Sequence, residues 1–200
     1  MIELNLILQP LETFHIGTGR VDTGLIGIQT TIKDPKKRPF IPGTSLKGAV
    51  RFNYQRLYPL YRKIYPGSEA YDENKLFGTS NQSSLVYFSD ALLDPNLDDA
   101  LFIQTRVHID AIKRTSEQGG LFHFEKVFPN LHFQTKILLK KTNSDTFKLL
   151  LYSLKELKHS GIGHNRTLTK VVQIESQNEA FKDIIKSTFT ASKIKGGKFL

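Results

Sequence analysis

The run Pro39-Phe40-Ile41-Pro42-Gly43-Thr44-Ser45-Leu46-Lys47-Gly48-Ala49-Val50-Arg51 sets two hydroxyls and two cations directly behind a Pro-Gly turn. Pro42 and Gly43 stop an extended segment, and a helix follows. Thr44 or Ser45 can accept a hydrogen bond from the first backbone N–H groups of that helix and so cap it. The N–H groups left over, together with Ser45, Lys47 and Arg51, would converge on an anion, most naturally a phosphate. Gly48 leaves room for a ligand or a second backbone to come close. A turn, a cap and two solvated cations account for the same residues without any ligand, so both readings stand at this point. The spacing is not that of a P-loop, so it gives no support to nucleoside triphosphate hydrolysis.

A second Gly-rich basic loop is Gly161-Ile162-Gly163-His164-Asn165-Arg166. The six histidines, His15, His108, His123, His132, His159 and His164, show no metal-ligand spacing. A metal-free acid–base pair for RNA cleavage would need two of them brought together by the fold.

The chain has 200 residues, 39% of them hydrophobic, which is enough for one packed domain. Its net charge of +9 favours a polyanionic partner, nucleic acid ahead of an anionic membrane surface. No run of apolar residues is long enough to span a membrane, and Met1-Ile2-Glu3-Leu4-Asn5-Leu6 does not read as a secretory signal. The absence of cysteine excludes disulfides and Cys-ligated zinc and suits a reducing cytoplasm, the expected location.

These loops need elements to hold them. Ile2, Leu4, Leu6 and Leu8 alternate as a strand with one buried face. Residues 15–24 read as a flexible Gly-rich loop and Gly27 to Lys33 as an irregular strand. A helix is expected over about 45–64, kinked or broken by Pro59. Ser84 to Asp90 reads as a strand. Ile103 to Ile109 and Phe128 to Leu139 read as the outgoing and returning strands of an arm spanning about 106–136. At its polar middle lie Lys113 and Arg114, with Phe122 and Phe124 nearby, a mixture suited to phosphates and stacked bases. A solvated loop with two core phenylalanines fits the same residues. A helix over 146–158 buries Leu149, Leu150, Tyr152, Leu154 and Leu157. A last strand runs from Lys170 to Glu175, and the basic tail follows. The order suits a single α+β domain over 1–200, with a ferredoxin-like antiparallel sheet, helices on one face and a projecting arm.

Phe14-His15-Ile16-Gly17-Thr18-Gly19, Ile41-Pro42-Gly43-Thr44-Ser45-Leu46-Lys47-Gly48-Ala49-Val50-Arg51, Leu76-Phe77-Gly78 and the late loop with Arg166 occur in that order. Together they resemble the RAMP superfamily of CRISPR-associated proteins, and most closely the small backbone subunit of type III effector complexes. The resemblance covers about residues 4–174. It implies an RNA-recognition-type core and subunits stacked along a guide RNA (crRNA), each gripping the sugar-phosphate backbone while base pairing supplies sequence. The arm looks like the family's thumb, which would interrupt the guide–target duplex. The partners implied are guide RNA, target RNA and other effector subunits, with no membrane. The RNA contacts implied are His15, Gly17, Thr18, Gly43, Ser45, Lys47, Arg51 and Arg166, with Lys113 and Arg114 on the arm.

Slicing members of this family carry a catalytic Asp shortly before a stretch that reads here Gln29-Thr30-Thr31-Ile32-Lys33-Asp34-Pro35. Ile28 takes that position, and neither Gln29 nor Thr30 offers a carboxylate to a hard cation. No catalytic residue, resident metal or cofactor is therefore expected. Asp22 is the fallback, and Mg²⁺ would be required only if it served a nuclease.

Overall fold

The computed structural model describes residues 1–21, 27–94, 100–109, 113–163 and 165–190. Strand β1 (Ile2–Pro10) turns Ile2, Leu4, Leu6 and Leu8 into the core, as their alternation requires. It lies between β10 (Thr169–Ser176) and β9 (Phe133–Leu139), antiparallel to both. Beyond β9 come β5 (Val86–Phe88) and β6 (Ala91–Leu93), then the edge strand β4 (Phe40–Ile41). Within that sheet the units run fourth, first, third, second across the face, the ferredoxin-like order.

Helices α1 (Gly43–Ile64) and α3 (Ser144–Lys155) pack against one another on one face. Leu46, Val50 and Tyr54 of α1 and Phe147, Leu150 and Leu154 of α3 are fully buried there. Asn143 caps α3 by accepting from Thr146 N at 2.9 Å. Short helices α2 (Glu73–Phe77) and α4 (Leu157–Ser160) flank them.

A second sheet, β2-β3-β8-β7, comes from two insertions into that plan. One is the pair β2 (Gly17–Val21) and β3 (Ile28–Thr31); the other is the hairpin β7 (Leu101–Ile109) and β8 (Ser116–Val127). The two insertions join through a short parallel pairing, Ile28 to His123 and Gln29 to Phe124.

Several elements differ from the sequence expectation, each for a visible reason. Helix α1 runs unbroken through Pro59, which sits on its exposed face where water can satisfy the carbonyl that the ring leaves unpaired. Gly17–Val21 is a strand because Gly17 pairs with Thr31 and Val21 with Gln29. The returning strand of the hairpin is Ser116–Val127, and the hairpin spans 101–127. Phe133–Leu139 is instead a core strand with Phe133, Ile137 and Leu139 fully buried. A helix α5 (Glu179–Thr190), which the sequence reading did not foresee, lays Phe181 edge-on to Phe147 at 4.4 Å. Tyr152 points outward rather than into the buried set of α3.

Candidate nucleic-acid interface

The sequence-selected residues fall into four places. The first is the start of α1. Pro42 is its N-cap and makes no side-chain capping bond. The cap expected from Thr44 or Ser45 is replaced by Asp90, whose Oδ1 accepts from Gly43 N at 2.7 Å. A carboxylate thus occupies the positive end of the helix, a favourable placement. Gly43 is needed there, because a Cβ would lie 2.3 Å from the Phe88 carbonyl oxygen.

The cations one turn further on remain at the surface. The Lys47 ammonium donates to Ser84 Oγ at 3.0 Å. Arg51 pairs with Glu73, and its guanidinium also reaches Asn74 Oδ1 at 3.5 Å. Partial burial, with the nearby Arg51 charge, holds the Lys47 ammonium below its ordinary pKa. Two cations that repel each other gain from an anion placed between them. Between them in sequence is Gly48, exposed, with no heavy atom within 4 Å of where its Cβ would stand. The whole of α1 contains Lys47, Arg51, Arg56, Arg62 and Lys63 and no acidic residue.

The second place is the root of the inserted sheet. His15 Nδ1 lies 2.8 Å from the Glu125 carbonyl oxygen, and its ring meets Phe124 edge-on at 5.8 Å. The Glu125 carboxylate accepts from Thr31 N at 3.0 Å and from the Lys33 ammonium at 2.6 Å. Glu125 therefore ties β8 to β3 while its backbone orients His15. Gly17 is exposed next to this junction. Thr18 lies in β2, and the structure describes its backbone only.

The third place is the loop after α4. Gly161 and Gly163 have φ of +71° and +75°, and Arg166 has φ +48°. A Cβ on Gly161 would lie 2.1 Å from the Arg166 carbonyl oxygen, so only glycine permits this tight loop. Ile162 and Thr167 close it with paired backbone bonds at 2.9 and 3.0 Å, which leaves Arg166 exposed. The fourth is the hairpin turn, where Lys113 and Arg114 are exposed, about 30 Å along β7 from its root. Arg106 lies over the Phe124 ring at 5.7 Å on the same hairpin.

Asp22 and His164 lie outside the described residues. No group of three or more potential metal ligands occurs among the described residues. His123 bonds Thr105 Oγ1 at 2.9 Å, while His15 bonds a backbone carbonyl. The sequence reading missed Asp90, Glu125, Ser84 and Glu73. Each acts on a partner far away in the chain, so no local pattern announces it. It also missed a cleft of about 850 Å³ on the open face of the main sheet, bordered by Asn5, Arg38, Asp90, Gln134, Lys136 and Glu175.

A family model described as RAMPs, the RAMP superfamily, matches residues 8–168. The chain is 28% identical over 174 residues to the CRISPR system Cms endoribonuclease Csm3 of Methanocaldococcus jannaschii, covering 76% of this chain and 70% of that protein. It is 32% identical over 146 residues to the protein of the same name from Mycobacterium tuberculosis, covering 66% of this chain and 61% of that one. Two solved structures share its fold over 92% of this chain and 99% of theirs. One is a type III-B Cmr-beta cryo-EM structure of the apo state, with TM-score 0.64 at 16% identity. The other is type III-B Cmr-beta bound to cognate target RNA, with TM-score 0.66 at 15% identity.

Proposed function

The chain belongs to the RAMP superfamily, and from that premise we propose that it is a guide-RNA-binding subunit of a type III CRISPR ribonucleoprotein complex. It would hold the sugar-phosphate backbone without reading sequence and support recognition of target RNA in antiviral defence. The single observation that carries this reading is the half-buried cation pair Lys47 and Arg51 beside the exposed Gly48 on an acid-free helix. A phosphate there would relieve the repulsion between two cations and meet no side chain at Gly48. The net charge of +9, His15 with Gly17 at the root of the inserted sheet, and the exposed Arg166 agree with it. The Csm3 proteins and the Cmr structures that resemble this chain supply the type III setting. Other effector subunits and target RNA are the proposed partners. No described helix is long and apolar enough to cross a membrane.

The test is a titration of single-stranded RNA of several sequences against salt. Affinity should fall steeply with salt, through counterion release, and vary little with sequence. Salt-independent binding, or strong preference for one sequence, overturns the proposal.

A second reading is favoured by the name endoribonuclease carried by both Csm3 relatives. On that reading Asp22 would hold Mg²⁺ beside a scissile phosphate. Ile28 at the position where the family's slicing members carry Asp argues against it. The assembled complex, given matched target RNA and Mg²⁺, should leave the target intact. Regularly spaced cuts that EDTA and Asp22→Ala both abolish would make the chain a nuclease.

A further inference from the structure

His15 is oriented by an acceptor. Its Nδ1 lies 2.8 Å from the Glu125 carbonyl oxygen, and a carbonyl oxygen has no proton to give. Nδ1 must therefore carry the proton, which leaves Nε2 as a bare lone pair in the neutral ring. Little freedom remains to reverse this. Phe124 packs edge-on against the ring at 77°. Glu125 is held in turn by Thr31 N, by the Lys33 ammonium and by its strand pairing with Ile103. Nε2 makes no hydrogen bond among the described residues, and it is not one of the buried polar atoms left without a partner, so it opens to solvent.

Neutral His15 thus presents an acceptor. Phosphate oxygens are acceptors too, so a phosphate and Nε2 cannot satisfy each other. A backbone-gripping site that ignores sequence needs a donor present on every nucleotide. In RNA that donor is the ribose 2′-hydroxyl, and DNA has none. We propose that His15 Nε2 accepts a hydrogen bond from a guide ribose 2′-hydroxyl and makes this surface prefer RNA to DNA. Lys47 and Arg51, whose charges cannot distinguish the two sugars, hold the phosphates. The proposal rests on the RNA-binding reading above and names the chemistry of one of its contacts.

The experiment measures binding of the full chain to three strands of one sequence: RNA, 2′-fluoro RNA and DNA. It is run at mildly alkaline pH, which favours the neutral form of an imidazole. The 2′-fluoro strand keeps the RNA-like sugar pucker and replaces the hydroxyl, donor and acceptor both, by a fluorine that cannot donate. Wild type should bind RNA about 2- to 10-fold more tightly than the 2′-fluoro strand, the span one neutral hydrogen bond supplies. His15→Phe keeps the ring against Phe124 and removes the acceptor. Its RNA to 2′-fluoro ratio should fall to about one, whatever the change in its affinity for either strand alone. Equal binding of RNA and 2′-fluoro RNA by wild type overturns the inference without any variant. So does a ratio that survives His15→Phe. No RNA binding by wild type overturns the functional proposal itself, which keeps the two failures apart.

Discussion

Arg51 has two suitors, and separating them tests the interface directly. In the free chain it pairs with Glu73, the side chains being 38% and 19% exposed. A half-exposed pair of this kind stabilises by about 0.2–1 kcal/mol, because water screens it and two long side chains lose freedom. A charge-assisted bond to a phosphate contributes about 1.5–3 kcal/mol when made. Subtracting the pair that must be given up or shared leaves about 0.5–2.8 kcal/mol for Arg51 in RNA binding. Arg51→Ala should therefore weaken binding roughly 2- to 100-fold. It should also make the slope of log affinity against log salt shallower by about 0.7, the value for one phosphate contact on a single strand. Glu73→Gln releases Arg51 from its competitor and should tighten binding by up to about fivefold. Both variants should keep their folding stability within about 1 kcal/mol of wild type, measured by urea denaturation. Fluorescence anisotropy at four or five salt concentrations reads affinity and slope together. If Arg51→Ala leaves both unchanged, Arg51 serves only to join α1 to α2 and the phosphate reading of this helix fails.

Other expectations follow from single positions. Gly48→Ala meets no neighbour, so it should raise stability by up to about 1 kcal/mol through helix propensity while weakening RNA binding; unchanged RNA affinity would show that bare backbone at Gly48 is irrelevant to the ligand. Gly161→Ala puts a Cβ 2.1 Å from the Arg166 carbonyl oxygen at φ +71°, and should cost roughly 2–4 kcal/mol in a thermal or urea melt; a wild-type melt would refute the tight loop. The Asp34 carboxylate accepts from Arg38 N at 2.9 Å and from the Arg38 guanidinium, which holds it below its ordinary pKa of 3.8. Its contribution to stability is therefore complete above 3.8 and is lost as pH falls through the lower folded value, and Asp34→Asn should remove that part of the acid dependence. Carboxyl NMR titration of Asp34 checks this, and titration at or above 3.8 contradicts it.

The strands and helices with strong periodicity were readable from the sequence. Ile2, Leu4, Leu6 and Leu8 recur at every second position, with Ile7 the one apolar residue on the other face, and the leucines of α3 recur at helical spacing, so burial dictates both elements. The glycine signals were readable as punctuation, since Gly43 and Gly161 stand where backbones come within van der Waals contact. What could not be read depends on closure over long stretches of chain. Asp90 reaches Gly43 across 47 residues, and Glu125 reaches Thr31 across 94. No local pattern encodes such a pair. The Pro59 break failed because solvent exposure, which sequence does not report, decides what an internal proline costs. The returning strand of the hairpin was misplaced because Phe128 to Leu139 has the more hydrophobic run, and that run belongs to the core sheet.

The position of β7 has a further consequence for the chain on its own. It ends the inserted sheet, with no strand beyond it among the described residues, so one row of its backbone N–H and C=O groups has no neighbouring strand. Ile103, Val107 and Ile109 are exposed along the same strand, as is Leu121 across from Val107. A nine-residue edge strand that exposes Ile103, Val107 and Ile109 is a template for uncontrolled strand addition. The isolated subunit is therefore a colloidally precarious species, whose loss to precipitation should grow with concentration even while its helices and core sheet stay folded.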